Sequence, residues 1–85
     1  MLTVYAAAWC PHCTMTVEFL KKHGIAFTYV EIEDQPQDVI DKIIQVNGGD
    51  DWVVPTLEYN GKWRKGRFYN ELSLLSDLQA LGVPV

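Results

Sequence analysis

The sequence predicts an α/β domain in which one four-stranded mixed sheet is flanked by helices, in the order β-α-β-α-β-β-α. Three observations carry this reading. A strand, helix, strand start implies a right-handed crossover and a parallel strand pair. Asn60 and Gly61 join two short β-prone segments and add an antiparallel hairpin. Apolar residues recur at helical spacing in three segments. At 85 residues the chain has room for a single domain, residues 1–85, with one modest core.

Leu2–Ala7 is small or apolar, with Val4 and Tyr5 among its residues, and reads as a short strand buried on both faces. Pro11 suits the first position of a helix. From there Cys13, Val17 and Leu20 form one apolar line beside a second of Met15 and Phe19. Glu18 stands one turn before Lys22, which favours an ion pair. Lys21, Lys22 and His23 bring cations to the last turn and Gly24 ends it, so the helix is predicted over Pro11–His23. "IAFTYVEI", residues 25–32, is rich in aromatic and β-branched types and predicts the second strand.

Pro36 opens a second helix, in which Val39, Ile40, Ile43, Ile44 and Val46 form an apolar stripe. Asp38 can reach Lys42 there, and Asn47, Gly48 and Gly49 end the helix. "PTLEY" and "KWRKG", residues 55–59 and 62–66, are the strands of the hairpin. Asn70 is the predicted N-cap of a final helix carrying Leu74, Leu75, Leu78 and Leu81.

Charge narrows the function classes. A net charge of −4 argues against nucleic acid or an anionic membrane surface as partner, because both reward a basic face. Lys62, Arg64, Lys65 and Arg67 hold four of the seven basic residues and read as a solvated hairpin. No apolar run approaches the roughly 20 residues of a membrane span. "MLTVYAAAW" lacks the basic segment and the length of a signal peptide, so it reads as mature sequence and the cytoplasm is the expected compartment. Thiols there stay mostly reduced, and a disulfide is usually transient and catalytic.

Both cysteines stand in "WCPHC", residues 9–13. Cys10 falls at the N-cap of the first helix, where unpaired N–H groups and the helix dipole favour a thiolate. Cys13 lies one turn inward. That spacing suits redox chemistry: Cys10 attacks a substrate disulfide and Cys13 resolves the mixed disulfide that results. His12 favours the thiolate when protonated, and when neutral it can act through a hydrogen bond. Pro11 stiffens the motif.

Structural zinc usually takes four ligands, and only His12 and His23 could join the cysteines. His23 lies about 15 Å further along the helix by rise, so no metal site is expected. A structural disulfide closing so small a loop would restrain the unfolded chain little. Trp9 and Trp52 offer aromatic surface beside the pair, whether as substrate contacts or as packing, and Trp63 packs in the hairpin.

"WCPHC" after a first strand, "VNGGDDWVVPT" at residues 46–56, and the chain length together resemble the glutaredoxins of the thioredoxin fold, most nearly the small mycoredoxin-like branch. The resemblance covers nearly the whole chain. It implies a thiol–disulfide oxidoreductase that reduces disulfides or protein mixed disulfides through Cys10 and Cys13. It also implies a cis Pro55 facing the cysteines, with the backbone of Val54 pairing with substrate. No bound cofactor is implied. Electrons would come from a low-molecular-weight thiol, glutathione or mycothiol-like, or from a flavoprotein disulfide reductase. The expected molecule is a monomer acting on disulfide-containing proteins or small thiol disulfides.

The chain departs from glutathione-using members at three places. Ala7 stands where a lysine is common, and Asp50, Asp51, Trp52 and Val53 stand where a basic or amide residue is usual. Arg67, Phe68, Tyr69, Asn70 and Glu71 replace a Gly-Gly and acidic segment that holds the γ-glutamyl end. Two acids repel a carboxylate, whereas Arg67 and the helix start near Asn70 offer substitute contacts for one. These departures raise an alternative, an electron carrier reduced by thioredoxin reductase, like the glutaredoxin-like donors of ribonucleotide reductase. A third reading, from the binding class, is an iron–sulfur cluster shared between two chains.

Overall fold

In the computed structural model, which describes residues 1–85, β1 spans Leu2–Ala6 and sits second in a sheet ordered β2-β1-β3-β4. β2 is Phe27–Glu31 and runs parallel to β1, pairing Leu2 with Phe27 and Ala6 with Glu31. β3, Thr56–Tyr59, is antiparallel to β1 and places Leu57 beside Val4. β4, Lys62–Arg64, folds back on β3 and places Arg64 beside Leu57. Asn60 and Gly61 have φ of 51° and 83°, the positive values that a two-residue hairpin turn with matching twist requires. The mixed sheet predicted from the sequence is therefore present, with β2 and β4 shorter than the β-prone segments that contain them.

Three helices cover the sheet. α1 is Pro11–Lys22, α2 is Gln37–Val46 with Pro36 as its N-cap, and α3 is Glu71–Leu81. A short 3-10 turn, Ile32–Asp34, links β2 to α2. On one face Leu2, Val4, Ala6 and Leu57 meet Phe19 and Leu20 of α1 and Leu74, Leu78 and Leu81 of α3 in a single buried cluster. Fully burying each leucine there contributes roughly 1.5–3 kcal/mol. On the other face Tyr5 stacks on Trp63 with ring centroids 5.7 Å apart, and Lys42 Nζ from α2 lies 5.6 Å from the Trp63 ring.

Four expectations change. β1 is fully buried on one face only; Thr3 and Tyr5 are half-buried, because the lone helix α2 covers their side and buries only Ile43 completely. The buried line of α1 runs through Cys13, Thr16 and Leu20 with Phe19, while Val17 is half-buried and Met15 exposed. Thr16 can be buried because its hydroxyl donates to the His12 carbonyl at 2.8 Å. Neither Glu18–Lys22 nor Asp38–Lys42 forms an ion pair; both ion pairs in the structure are made by Asp77, with Arg64 and Arg67. Strand alternation accounts for the fourth change: it turns Arg64 inward beside Leu57, so this member of the basic group is buried and not solvated.

Candidate active site

The turn from β1 into α1 carries the cysteines. Cys10 is extended at φ −87° and ψ 115°, which makes it the N-cap, and its Sγ accepts the Cys13 backbone N–H at 3.2 Å. A sulfur therefore stands where an oxygen usually caps a helix, within reach of the positive end of the dipole. The Cys10 thiol also faces the Val54 carbonyl at 3.9 Å. Cys10 is 5% exposed and Cys13 only 1%, so Cys10 is the more accessible of the two.

The Cys13 thiol is pushed up to about 12. Burial is the largest cause, and a hydrogen bond to Cys10 and the negative charges of Cys10 and Glu31 act in the same direction, against a lowering contribution from the Ala7 backbone. At neutral pH Cys13 is a protonated thiol.

Two carboxylates hold the turn before α1. Glu31 Oε1 accepts the Ala8 N–H at 2.9 Å and the Tyr29 hydroxyl at 3.1 Å, while its Oε2 is enclosed without a partner. Glu33 Oε1 accepts the Trp9 indole N–H at 2.7 Å. Trp9 is nonetheless 62% exposed and lies against Trp52, with ring centroids 6.4 Å apart.

The Val54–Pro55 peptide is cis, and the Val54 carbonyl faces Cys10. Asn47 fixes the neighbourhood of this peptide. Its Nδ2 donates to Thr56 Oγ1 at 3.0 Å and to the Ile43 carbonyl at 2.9 Å, and its Oδ1 accepts the Gly66 N–H at 2.8 Å. Thr56 Oγ1 in turn donates to the Val53 carbonyl at 2.6 Å. One side chain thus ties the end of α2, the start of β3 and the segment after β4.

Beside Val54 opens a cavity of about 340 Å³ lined by His12, Val53, Val54, Gly66, Arg67 and Phe68. His12 Nδ1 accepts the Tyr69 N–H at 2.9 Å, and its ring lies against Phe68. A larger cleft of about 420 Å³, lined by Lys62, Lys65 and Leu81 among others, contains neither cysteine. No three His, Cys, Asp or Glu side chains gather as a metal ion would require, and no helix is long and apolar enough to cross a membrane.

The structure thus brings together Trp9, Cys10, Pro11, His12, Cys13, Trp52, Val54 and Pro55. Arg67 reaches the cavity wall, but its Nη1 is 3.2 Å from Asp77 Oδ2. Asn70 caps α3 by accepting the Ser73 N–H at 2.9 Å and does not line the cavity. Sequence reasoning missed Glu31, Glu33 and the clamping role of Asn47, which it took only as a helix stop. The spacing within the chain held no signal for the first two.

A family model described as glutaredoxin matches residues 2–63. The crystal structure of the glutaredoxin grx-1 from Archaeoglobus fulgidus is similar, at 32% identity and a TM-score of 0.70, covering 88% of this chain and 82% of that one. Methanoredoxin from Methanosarcina acetivorans, at 23% identity, shares the fold with a TM-score of 0.69, covering 95% of this chain and 83% of that one. Glutaredoxin-like protein NrdH from Lactococcus lactis subsp. cremoris is 37% identical over 46 residues, 54% of this chain. The match spans 62% of that relative's length.

Proposed function

Because the chain belongs to the glutaredoxin family of thiol–disulfide oxidoreductases, we propose that it is a dithiol reductase in which Cys10 attacks and Cys13 resolves. The observation that carries this reading is the Cys10 sulfur at the N-cap of α1, facing the Val54 carbonyl and capped by the Cys13 N–H. The Cys10 thiolate attacks one sulfur of a substrate disulfide, forming a mixed disulfide and expelling the other half as a thiolate. Cys13 then gives up its proton, attacks the Cys10 sulfur and releases the second half, which takes up a proton. Two electrons have passed from the cysteine pair to the substrate, and the chain holds a Cys10–Cys13 disulfide. The step needs no bound cofactor.

Re-reduction is the finer question, and two observations favour a flavoprotein reductase over a small thiol. The substitute contacts for a glutathione carboxylate are already engaged: Arg67 with Asp77, and Asn70 with the helix it caps. Asp50 and Asp51 are exposed beside Trp52, where they repel a carboxylate. The likeness to a glutaredoxin-like NrdH protein supports the electron-carrier reading.

The test oxidises the pair and offers glutathione, a mycothiol-like thiol, and thioredoxin reductase with NADPH in separate reactions. Rapid reduction by the reductase alone is expected. Rapid reduction by a small thiol and none by the reductase would move the assignment to that thiol. Turnover retained in Cys10→Ser would overturn the dithiol reading itself.

A further inference from the structure

The segment between β4 and α3 is held to the rest of the chain at three points, and one of them is the histidine of the cysteine motif. Gly66 is tied to Asn47, Arg67 to Asp77, and Tyr69 to His12. The His12 and Phe68 rings stack with centroids 4.8 Å apart and planes 26° from parallel. Gly66, Arg67 and Phe68 thereby form a wall of the cavity that Val53 and Val54 also line. Phe68 is 80% exposed, so its position depends on these ties and not on burial.

A ring nitrogen that accepts a backbone N–H carries no proton. The Tyr69 bond therefore assigns His12 as the neutral tautomer with its proton on Nε2. We propose that His12 in this form is a positioning residue: Nδ1 holds the wall from Arg67 to Tyr69 against the helix that carries Cys10, and loss of this acceptor releases the wall and weakens disulfide binding. The proposal rests on the dithiol reading and adds to it a residue that acts through the cleft wall and not through the sulfurs.

The surroundings of the ring offer no substitute for the lost bond. Cys10 and Cys13 lie on the same helix turn, Arg67, Val53 and Val54 share the cavity with the ring, and Glu18 and Glu71 border Tyr69. Arg67 is engaged by Asp77, and no carboxylate forms an ion pair with the imidazole. Without Nδ1 the Tyr69 N–H has no other acceptor in the fold.

The test follows amide hydrogen exchange of the reduced full chain by NMR in wild type, His12→Ala and His12→Asn and then measures turnover of a peptide disulfide. The Tyr69 amide should exchange faster in His12→Ala, which removes its acceptor, and return toward the wild-type rate in His12→Asn. His12→Ala should raise KM about fivefold, the factor that corresponds to one neutral hydrogen bond, with a smaller change in kcat. His12→Asn, whose Oδ1 can accept the same N–H, should restore KM. A Tyr69 amide that exchanges no faster in His12→Ala overturns the proposal, and so does a His12→Ala loss confined to kcat. The amide measurement needs no turnover, so a chain inactive on disulfides would sink the dithiol reading while the exchange rates still decide this one.

Discussion

Cys13 donates its backbone N–H to Cys10 Sγ at 3.2 Å while its own thiol sits deeper, 1% exposed against 5% for Cys10. One residue therefore supports charge on the outer sulfur and withholds its own proton. Because the Cys13 thiol is held up at about 12, brief treatment of the reduced chain with iodoacetamide at neutral pH should add one group, on Cys10. Peptide mass mapping reads the site. Equal labelling of the two cysteines would contradict the assigned asymmetry.

The same burial sets an alkaline limit on stability. Folding moves the Cys13 thiol from an ordinary 9.0 to about 12, and the Tyr29 phenol from 10.0 to about 12 through burial and its bond to Glu31. Between those values the unfolded chain releases protons that the fold retains. The stability these groups contribute is thus whole below pH 9.0 and is lost as pH climbs toward 12. Tyr29 is exposed, and solvent screening reduces its share. Urea midpoints of the reduced chain should fall across this range, and Cys13→Ala should flatten the fall.

Gly66 is where the cleft wall passes closest to Val53. A Cβ at this position would stand 2.5 Å from Val53 Cγ1 and 2.9 Å from the Val53 carbonyl carbon. A β-branched side chain and a backbone atom cannot both give way, so the wall must move outward. Gly66→Ala should cost about 1–3 kcal/mol of stability, as overpacking does, and should raise KM more than it lowers kcat. Denaturant titration and steady-state kinetics separate the two effects. A variant with wild-type stability and KM would show that the wall is free to shift.

The sequence made the elements legible because periodicity and punctuation are local. Asn60-Gly61 announced the hairpin, Pro11 and Gly24 bracketed the first helix, and "WCPHC" placed a sulfur at a helix start. The parts that organise the site are side-chain bonds between distant positions, and no window along the chain contains them. Tyr69 reaches back 57 positions to His12, and Ala8 reaches forward 23 to Glu31. Thr16 falls outside the predicted apolar line because it is polar, and it is buried only because its hydroxyl bonds within its own helix. A run of basic residues predicts a solvated hairpin and gives no hint that strand alternation turns Arg64 inward.

Arg64 has consequences for how α3 is held. It is 6% exposed, its Nε donates to Asp77 Oδ2 at 2.9 Å, and its Nη1 is enclosed without a partner. Burial lowers its proton affinity, and the bond to Asp77 works against that lowering. Removing one partner of a buried ion pair costs about 3–5 kcal/mol, and the lower end fits Asp77, which keeps some contact with solvent. Asp77→Ala should therefore lower the unfolding free energy by about 3 kcal/mol. Arg67→Ala removes a partner that is 51% exposed and should cost about 0.5 kcal/mol or less. Arg64→Met combined with Asp77→Leu should recover most of the loss, since the desolvation cost disappears with the charges. Urea midpoints of these variants settle the matter. If Asp77→Ala behaved like Arg67→Ala, solvent would be satisfying the Arg64 guanidinium, and α3 would be held to the sheet by Leu74, Leu78 and Leu81 alone.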